Sequence, residues 1–183
     1  MTLTDKKTLR IESKAKVLAM SDQQRRSASA SIFGRLARTD IFARARVVAL
    51  YMSLPDEPQT EYFLREMCHR KRLVVPRVCD DCTMRFFDYR PDGQQPGAFG
   101  IAEPDDDARP CPPEDIDLMV VPGTAFTREG ARLGRGRGYY DRYMAQSQFR
   151  AATVGVCFGV QIVDALPVES HDLCVDAVIT DEE

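Results

Sequence analysis

The chain has 183 residues, of which 44% are hydrophobic and 29% charged, and its formal net charge is -3. This composition is typical of a soluble globular domain and excludes a disordered chain. The slight negative charge disfavours binding of nucleic acid by bulk electrostatics, because no overall positive field would attract phosphates. Any anion site must therefore be local.

No stretch of the sequence approaches the roughly 20 consecutive apolar residues of a membrane-spanning helix. Residues 1–16 lack the apolar core of a signal peptide. The six cysteines are scattered, which favours reduced thiols over a disulfide framework. We therefore expect a cytoplasmic protein that does not bind membranes.

The N-terminal part of the chain predicts two helices. In the first, over residues 4–20, Ile11, Ala15 and Leu18 form an apolar stripe. The sequence SDQQ at residues 21–24 matches a capping box, so a second helix should begin there and end near Ala37.

The following segments alternate between strands and helices. The apolar run 47–52 predicts a buried strand, residues 60–70 predict a helix that Thr60 could cap, and residues 72–78 predict the next strand. MRFFDY at 84–89 predicts an antiparallel or edge strand, and residues 90–113 predict a long irregular connection. Further strands are predicted at 115–123, 152–158 and 174–180, with a helix at 138–147. The predicted fold is a single-domain, three-layer α/β/α arrangement with a mostly parallel, Rossmann-like sheet.

The most distinctive segment is RLGRGRGYYDRY, residues 132–143. It lies between a predicted strand and a predicted helix, where backbone N–H groups can converge on an anion. Its glycine spacing matches neither the dinucleotide fingerprint nor a Walker loop. Guanidinium groups suit phosphate oxygens, however, and the segment contains or adjoins Arg128, Arg132, Arg135, Arg137 and Arg142. A flexible surface turn is the structural alternative, and a single copy between core elements disfavours an RNA-binding segment.

Other candidate residues keep two interpretations each from the sequence alone. Asp141 is either a partner of the helix dipole or a magnesium ligand, and Tyr139 and Tyr140 can stack on a flat ring or pack at the helix start. Glu57 follows the first predicted strand, where open α/β sheets bind ligands, but an exposed loop acid is the alternative. For Lys6, Lys7 and Arg10, a solvated charged face is favoured over a ligand role.

A zinc site and a catalytic triad are both disfavoured. Cys79 and Cys82 have the spacing of zinc ligands, but no second such pair follows, so a hairpin turn around Asp80–Asp81 is preferred. His69 and His171 have no partner pattern for a Ser–His or Cys–His mechanism.

Several segments together resemble the 5-formyltetrahydrofolate cyclo-ligase family, also called 5,10-methenyltetrahydrofolate synthetases. In chain order they are KKTLR, YMSLPDEPQT, MRFFDY with FGIAEP, VPGTAFTREGARLGRGRGYYDRYM and LPVESHDLCVDAVIT. The fourth of these segments is the specific one, and together they span nearly the whole chain. The resemblance implies one cyclo-ligase domain over residues 1–183 with a three-layer α/β/α fold.

The resemblance also implies an activity. ATP and magnesium would convert 5-formyltetrahydrofolate to 5,10-methenyltetrahydrofolate, with phosphoryl activation of the formyl oxygen and attack by N10. Such chemistry needs positioning and charge neutralisation more than a protein nucleophile. A fold relative that binds nucleotide or folate without this activity is the alternative. We expect a monomer whose partners are these two small molecules, and no nucleic acid.

The family's site residues carry over to matching positions of this chain. The implied ATP contacts are Lys6, Lys7, Arg10, Arg132, Leu133, Gly134, Arg135, Gly136, Arg137, Gly138, Tyr139 and Tyr140. The implied folate contacts are Met52, Glu57, Arg135, Gly136, Arg137, Gly138 and Tyr139. Asp141 and Asp176 are the implied magnesium-associated acids, and Arg135 and Tyr140 are the predicted catalytic residues. Thr127 stands where family members often have an acid, and Glu129 is the candidate to replace it.

Overall fold

The structure is a computed structural model that describes residues 5–80, 83–97 and 100–182. Its helices are α1 (Lys6–Ala19), α2 (Asp22–Ala37), α3 (Asp40–Arg44), α4 (Glu61–Met67) and α5 (Tyr139–Met144). Its strands are β1 (Val47–Ala49), β2 (Arg72–Val78), β3 (Met84–Asp88), β4 (Gln94–Pro96), β5 (Ala102–Pro104), β6 (Pro110–Cys111), β7 (Leu118–Pro122), β8 (Ala125–Phe126), β9 (Arg132–Leu133), β10 (Ala152–Val156) and β11 (Ala177–Ile179). In these described residues, no helix is long and apolar enough to cross a membrane.

A seven-stranded sheet with the order β11-β10-β7-β1-β2-β3-β6 forms the centre of the fold. The five strands from β11 to β2 are parallel to one another, whereas β3 runs antiparallel to β2 and β6 antiparallel to β3. Helix α4 crosses from β1 to β2, as the predicted strand–helix–strand unit requires. The antiparallel prediction for β3 is confirmed, but β3 is not the edge strand because β6 lies beyond it.

Apolar side chains cover both faces of the sheet. On one face, helices α2, α3 and α4 contribute Ile32, Phe42 and Leu64 to a cluster that includes alternate residues of the strands. On the other face, Tyr143 and Met144 of α5 belong to a second cluster. Residues 118–121 of β7 are all buried, as their continuous apolar run predicts for a strand covered on both faces. The three-layer α/β/α prediction is therefore confirmed.

The orientation of α1 differs from the prediction. Helix α2 does begin with the predicted capping box, in which Ser21 and Gln24 bond reciprocally. On α1, however, Ile11 and Leu18 are 62% and 55% exposed, whereas Ser13 and Val17 are buried. The face that meets the protein also carries Lys6 and Arg10, at the helical spacing i, i+4, i+7 and i+11. The predicted apolar stripe therefore faces solvent.

Short elements account for the other differences. The structure adds α3, and it places the β4–β5 hairpin and strand β6 within the segment predicted to be irregular. Thr60 precedes α4 but does not cap it, because its hydroxyl donates to the carbonyl of Tyr51 at 2.8 Å. The described cysteines are free thiols, as expected. Asp81 and Cys82 of the predicted hairpin turn lie outside the described residues.

Candidate functional site

A cavity of about 600 Å³ opens at the carboxyl ends of β1, β2 and β7. Its walls come from α1, from the loops that follow these strands, from the β4–β5 hairpin and from residues 132–141 and 169–172. Ligands of open α/β sheets bind at this edge of the sheet. The fold therefore brings the glycine-rich segment, Met52, Glu57 and the N-terminal cations to one place.

Arg135 joins two neighbouring acids at this cavity. Its Nε donates to Oε1 of Glu57 at 2.9 Å, and its Nη2 donates to Oδ1 of Asp56 at 2.7 Å. Glu57 is 5% exposed, and its second oxygen accepts from the backbone N–H of Leu54 at 2.9 Å. Glu57 is thus a buried acid of the cavity wall, and the alternative of an exposed loop acid is wrong.

Burial and charge shift the pKa values of these groups in different directions. Burial raises the pKa of Glu57 above its ordinary value, although Arg135 opposes the shift. Burial also tends to raise the pKa of Asp56, but hydrogen bonds and the charge of Arg135 outweigh it and lower the pKa. Burial raises the pKa of the Tyr140 phenol, and the nearby Glu57 carboxylate raises it further. The Tyr140 hydroxyl is therefore protonated and can donate a hydrogen bond.

Arg132 presents a buried guanidinium to the cavity. Its side chain is 3% exposed, and its Nη2 donates to Oδ1 of Asp141 at 2.6 Å. The same oxygen accepts from the backbone N–H of Leu173 at 3.1 Å. The Nε of Arg132 is buried and has no hydrogen-bond partner among the described residues. An unpaired buried donor of this kind costs about 1–3 kcal/mol.

The glycine-rich segment turns sharply before α5. Gly138 precedes the helix with φ of 67°, a left-handed conformation that favours glycine. This turn places Tyr139 and Tyr140 at the start of α5, and both line the cavity. The hydroxyl of Tyr139 donates to the carbonyl of Asp80 at 3.3 Å, and the guanidinium of Arg142 lies over its ring.

Two cations of α1 complete this wall. The Nε of Arg10 donates to the carbonyl of Gly134 at 2.8 Å, and Lys6 Nζ lies 2.7 Å from Oδ2 of Asp172. Burial tends to lower the pKa of Lys6, but hydrogen bonds with Asp172 and Glu169 outweigh it and raise the pKa. The preference for a solvated face is therefore wrong for Lys6 and Arg10. Lys7, in contrast, is exposed and does not line the cavity.

Two acidic residues that were predicted to belong to the site lie outside the cavity lining. Asp176 is exposed and outside the cavity lining, and its Oδ2 accepts from the backbone N–H and hydroxyl of Thr153 at 2.7 and 2.8 Å. Glu129 is exposed and also outside the lining, whereas Thr127 is buried and its hydroxyl accepts from the N–H of Ala131. No group of three His, Cys, Asp or Glu side chains in the described ranges is placed to hold a metal ion.

Some wall residues were not predicted from the sequence. The β4–β5 hairpin and strands β2 and β3 contribute an apolar wall, made by Pro76, Val78, Met84, Ile101 and Ala102. The turn before β11 contributes Glu169, His171 and Asp172. The hairpin lies in the segment predicted to be irregular, and no local pattern in either stretch signals a cavity wall.

Comparison with known proteins gives consistent matches along the chain. The model of the 5-formyltetrahydrofolate cyclo-ligase family matches residues 2–181. The 5-formyltetrahydrofolate cyclo-ligase of Mus musculus is 26% identical over 97% of this chain and 94% of its own, and that of Escherichia coli is 28% identical over 88% and 92%. The 5,10-methenyltetrahydrofolate synthetase structure from Aquifex aeolicus has a TM-score of 0.87 and 32% identity, covering 97% of this chain and 90% of that one.

Proposed function

The chain belongs to the 5-formyltetrahydrofolate cyclo-ligase family, and we propose that it forms 5,10-methenyltetrahydrofolate from 5-formyltetrahydrofolate while ATP is split to ADP and phosphate. Membership makes the protein an enzyme of folate one-carbon metabolism. The use of ATP and magnesium and the roles of single residues are part of the proposal. Action in the cytoplasm as a monomer stays a prediction from the sequence.

The buried Arg132 side chain in the cavity lining, together with three further cations, is the observation that carries the ATP half of the proposal. A guanidinium held out of water needs acceptors, and phosphate oxygens match its geometry. Lys6, Arg10 and Arg135 line the same cavity, so a polyphosphate would meet several cations at once. The charge of ATP is thus matched by a local site in a chain that is slightly acidic overall.

Other residues of the cavity lining suit the folate. Glu57 is buried and oriented by Leu54 N–H and Arg135, so its carboxylate can accept hydrogen bonds from the N–H edge of a pterin. Met52 also belongs to the lining, and the apolar wall from β2, β3 and the β4–β5 hairpin can cover flat rings. These contacts would direct the formyl group toward the nucleotide.

The chemistry proceeds in two balanced steps. The formyl oxygen attacks the γ-phosphorus of ATP, and the bond from that phosphorus to the ADP oxygen breaks. N10 then attacks the activated carbon and gives up its proton, and the carbon–oxygen bond to phosphate breaks. Arg135 would neutralise charge on the transferring phosphoryl group, and the protonated Tyr140 would donate a hydrogen bond to it.

One carboxylate of the cavity fits a magnesium ion. Magnesium is commonly held by one or two carboxylates together with substrate phosphates, and it neutralises phosphate charge. Asp141 lines the cavity beside Arg132, and its Oδ2 makes no hydrogen bond to any described residue. Asp141 is therefore the residue that would hold the ion, whereas a role for Asp176 rests on the resemblance alone.

Product formation tests the proposal directly. The purified protein with 5-formyltetrahydrofolate, ATP and magnesium should produce the near-ultraviolet absorbance of the methenyl product, and omission of ATP should abolish it. A folded protein that binds ATP but yields no product would instead be the binding-only relative.

Asp141→Asn should lower turnover by about 10- to 100-fold, because hydrogen bonds to charged groups contribute roughly 1.5–3 kcal/mol. An unchanged magnesium dependence in this variant would remove Asp141 from the metal role.

A further inference from the structure

A chain of polar contacts links three separate segments of the cavity wall. Lys6 Nζ on α1 contacts Oδ2 of Asp172 at 2.7 Å. The next residue, Leu173, donates its backbone N–H to Asp141, which in turn accepts from Arg132. Lys6 contacts Asp172 directly and Arg132 is linked to Leu173 through Asp141, so two cations of the wall are connected to consecutive residues of one turn.

Asp172 is held in place by its own turn. Its Oδ2 accepts from the backbone N–H of Glu169 at 2.8 Å, and its own N–H donates to the carbonyl of Glu169 at 3.0 Å. Burial tends to raise the pKa of Asp172, but the hydrogen bonds from Lys6 and from the Glu169 N–H outweigh it and lower the pKa. The carboxylate is therefore an ionised acceptor whose position the backbone fixes.

The Asp172 pair is the stronger of two that Lys6 makes. The Asp172 side chain is 19% exposed, whereas Glu169, at 3.2 Å from Lys6, is 59% exposed. Exposed ion pairs contribute little because solvent screens them and both side chains lose conformational freedom. Asp172 is therefore the residue that restrains the ammonium.

Lys6 needs such a restraint to act on a ligand. It is the first residue of α1, and its flexible side chain would otherwise lose conformational entropy on binding. An ammonium has three N–H donors. Among the described residues, Asp172 accepts one of them at 2.7 Å and Glu169 lies within ion-pair distance at 3.2 Å, so the ammonium can still donate to a ligand in the cavity that Lys6 lines.

We propose that Asp172 is a positioning residue for the nucleotide, which holds the Lys6 ammonium at the cavity wall ready to contact a phosphate. This inference rests on the proposed function, but it concerns a residue that acts on the nucleotide through Lys6. Because the pair forms before the nucleotide arrives, the ordering of Lys6 does not weaken binding.

Asp172→Asn tests the inference because it removes the charge and keeps the size. We expect the Kd of ATP, measured by titration calorimetry, and the KM for ATP to rise about tenfold. The kcat and the KM for 5-formyltetrahydrofolate should change less than about twofold, since Asp172 contacts neither reacting group. Asp172→Glu should recover most of the affinity, and an unchanged or tighter Kd in Asp172→Asn would overturn the proposal.

Glu61→Gln is the matched control. It also removes a carboxylate from an ion pair, with Arg65 at 3.3 Å, but this pair is exposed on α4 and outside the cavity. ATP affinity should not change. A loss equal to that of Asp172→Asn would show a non-specific charge effect and contradict the proposal.

A double-mutant cycle tests whether Asp172 affects ATP binding through Lys6. If Asp172 acts by holding Lys6, Asp172→Asn should not weaken ATP binding further in a Lys6→Met background. Additive losses would contradict the proposal. ATP affinity is measured without turnover, so an absence of product from the wild-type enzyme would count against the proposed function while leaving this result interpretable.

Discussion

Arg135 contacts two adjacent carboxylates whose stability contributions should depend on pH with opposite signs. The pKa of Glu57 is raised above its ordinary value of 4.5, so the folded state holds this proton more tightly than the unfolded state does. Its contribution to stability is fully present below pH 4.5 and is lost as pH rises through the folded pKa. The pKa of Asp56 is lowered from 3.8, so its contribution is present above 3.8 and is lost as pH falls through the folded pKa.

Glu57→Gln should therefore flatten the decline in stability just above pH 4.5. The free energy of unfolding can be measured by urea titration at several pH values between 4 and 7. Asp56→Asn is the control, because its own titration acts below pH 3.8 and the decline above 4.5 should persist. A wild-type slope retained in Glu57→Gln would contradict the assignment of that decline to Glu57.

Single site residues could be predicted from the sequence, but the contacts between them could not. Glu57 follows an apolar strand and Arg135 lies in a glycine-rich segment, and both features are visible locally. Their hydrogen bond joins positions 78 residues apart, and it exists because β1 and β7 are neighbours in the sheet. The contact of Lys6 with Asp172 spans 166 residues and depends in the same way on tertiary structure.

Helices and strands were predictable where the local sequence carries a strong signal. Helix α2 and strand β2 match their predictions, because the capping box of α2 and the apolar run 73–76 within β2 are strong local signals. The β4–β5 hairpin was missed because its three-residue strands are too short to show alternation. For α1 the helix itself was predictable, but the side of the helix that faces the protein was not. The polar stripe with Lys6 and Arg10 faces inward because the cavity wall supplies its partners.

Gly130 closes the turn between β8 and β9, and its substitution tests how much this turn contributes to stability. Its φ is 94°, and a Cβ there would lie 2.1 Å from the carbonyl oxygen of Val175. Val175 also donates its N–H to the Gly130 carbonyl at 2.9 Å, so neither backbone can move without losing this bond. Gly130→Ala should lower the free energy of unfolding by roughly 2–3 kcal/mol, as measured by urea titration.

Gly34 provides the matched control for this substitution. It lies within α2, and a Cβ there would meet nothing within 4 Å. Gly34→Ala should raise the free energy of unfolding by about 0.5–1 kcal/mol, because alanine favours the helix. Destabilisation of similar size at both positions would contradict the role assigned to the Gly130 turn.

Many of the contacts that hold helix α1 against the rest of the protein are made at the cavity. Only Ser13 and Val17 of this helix are buried, whereas α2 buries Ile32, Phe33 and Leu36 among others. Leu9 also packs against a small apolar cluster with Ala125, Leu133 and Leu166. Polar contacts join α1 to the cavity walls, through Lys6 to Asp172 and through Arg10 to the Gly134 carbonyl. A helix with so few buried apolar contacts should open locally more readily than the core does.

Nucleotide binding should therefore protect α1 from local opening. In hydrogen exchange followed by mass spectrometry, saturating ATP and magnesium should slow the exchange of α1 amides by about tenfold or more, since a ligand at 100 times its Kd stabilises the bound form by roughly 2.7 kcal/mol. Helix α3 is the internal control, because it is short, buries Phe42 alone and contributes nothing to the cavity lining. Its local exchange should not change. Equal slowing in α1 and α3 would mean that the nucleotide stabilises the fold as a whole, and that α1 has no special link to the bound phosphates.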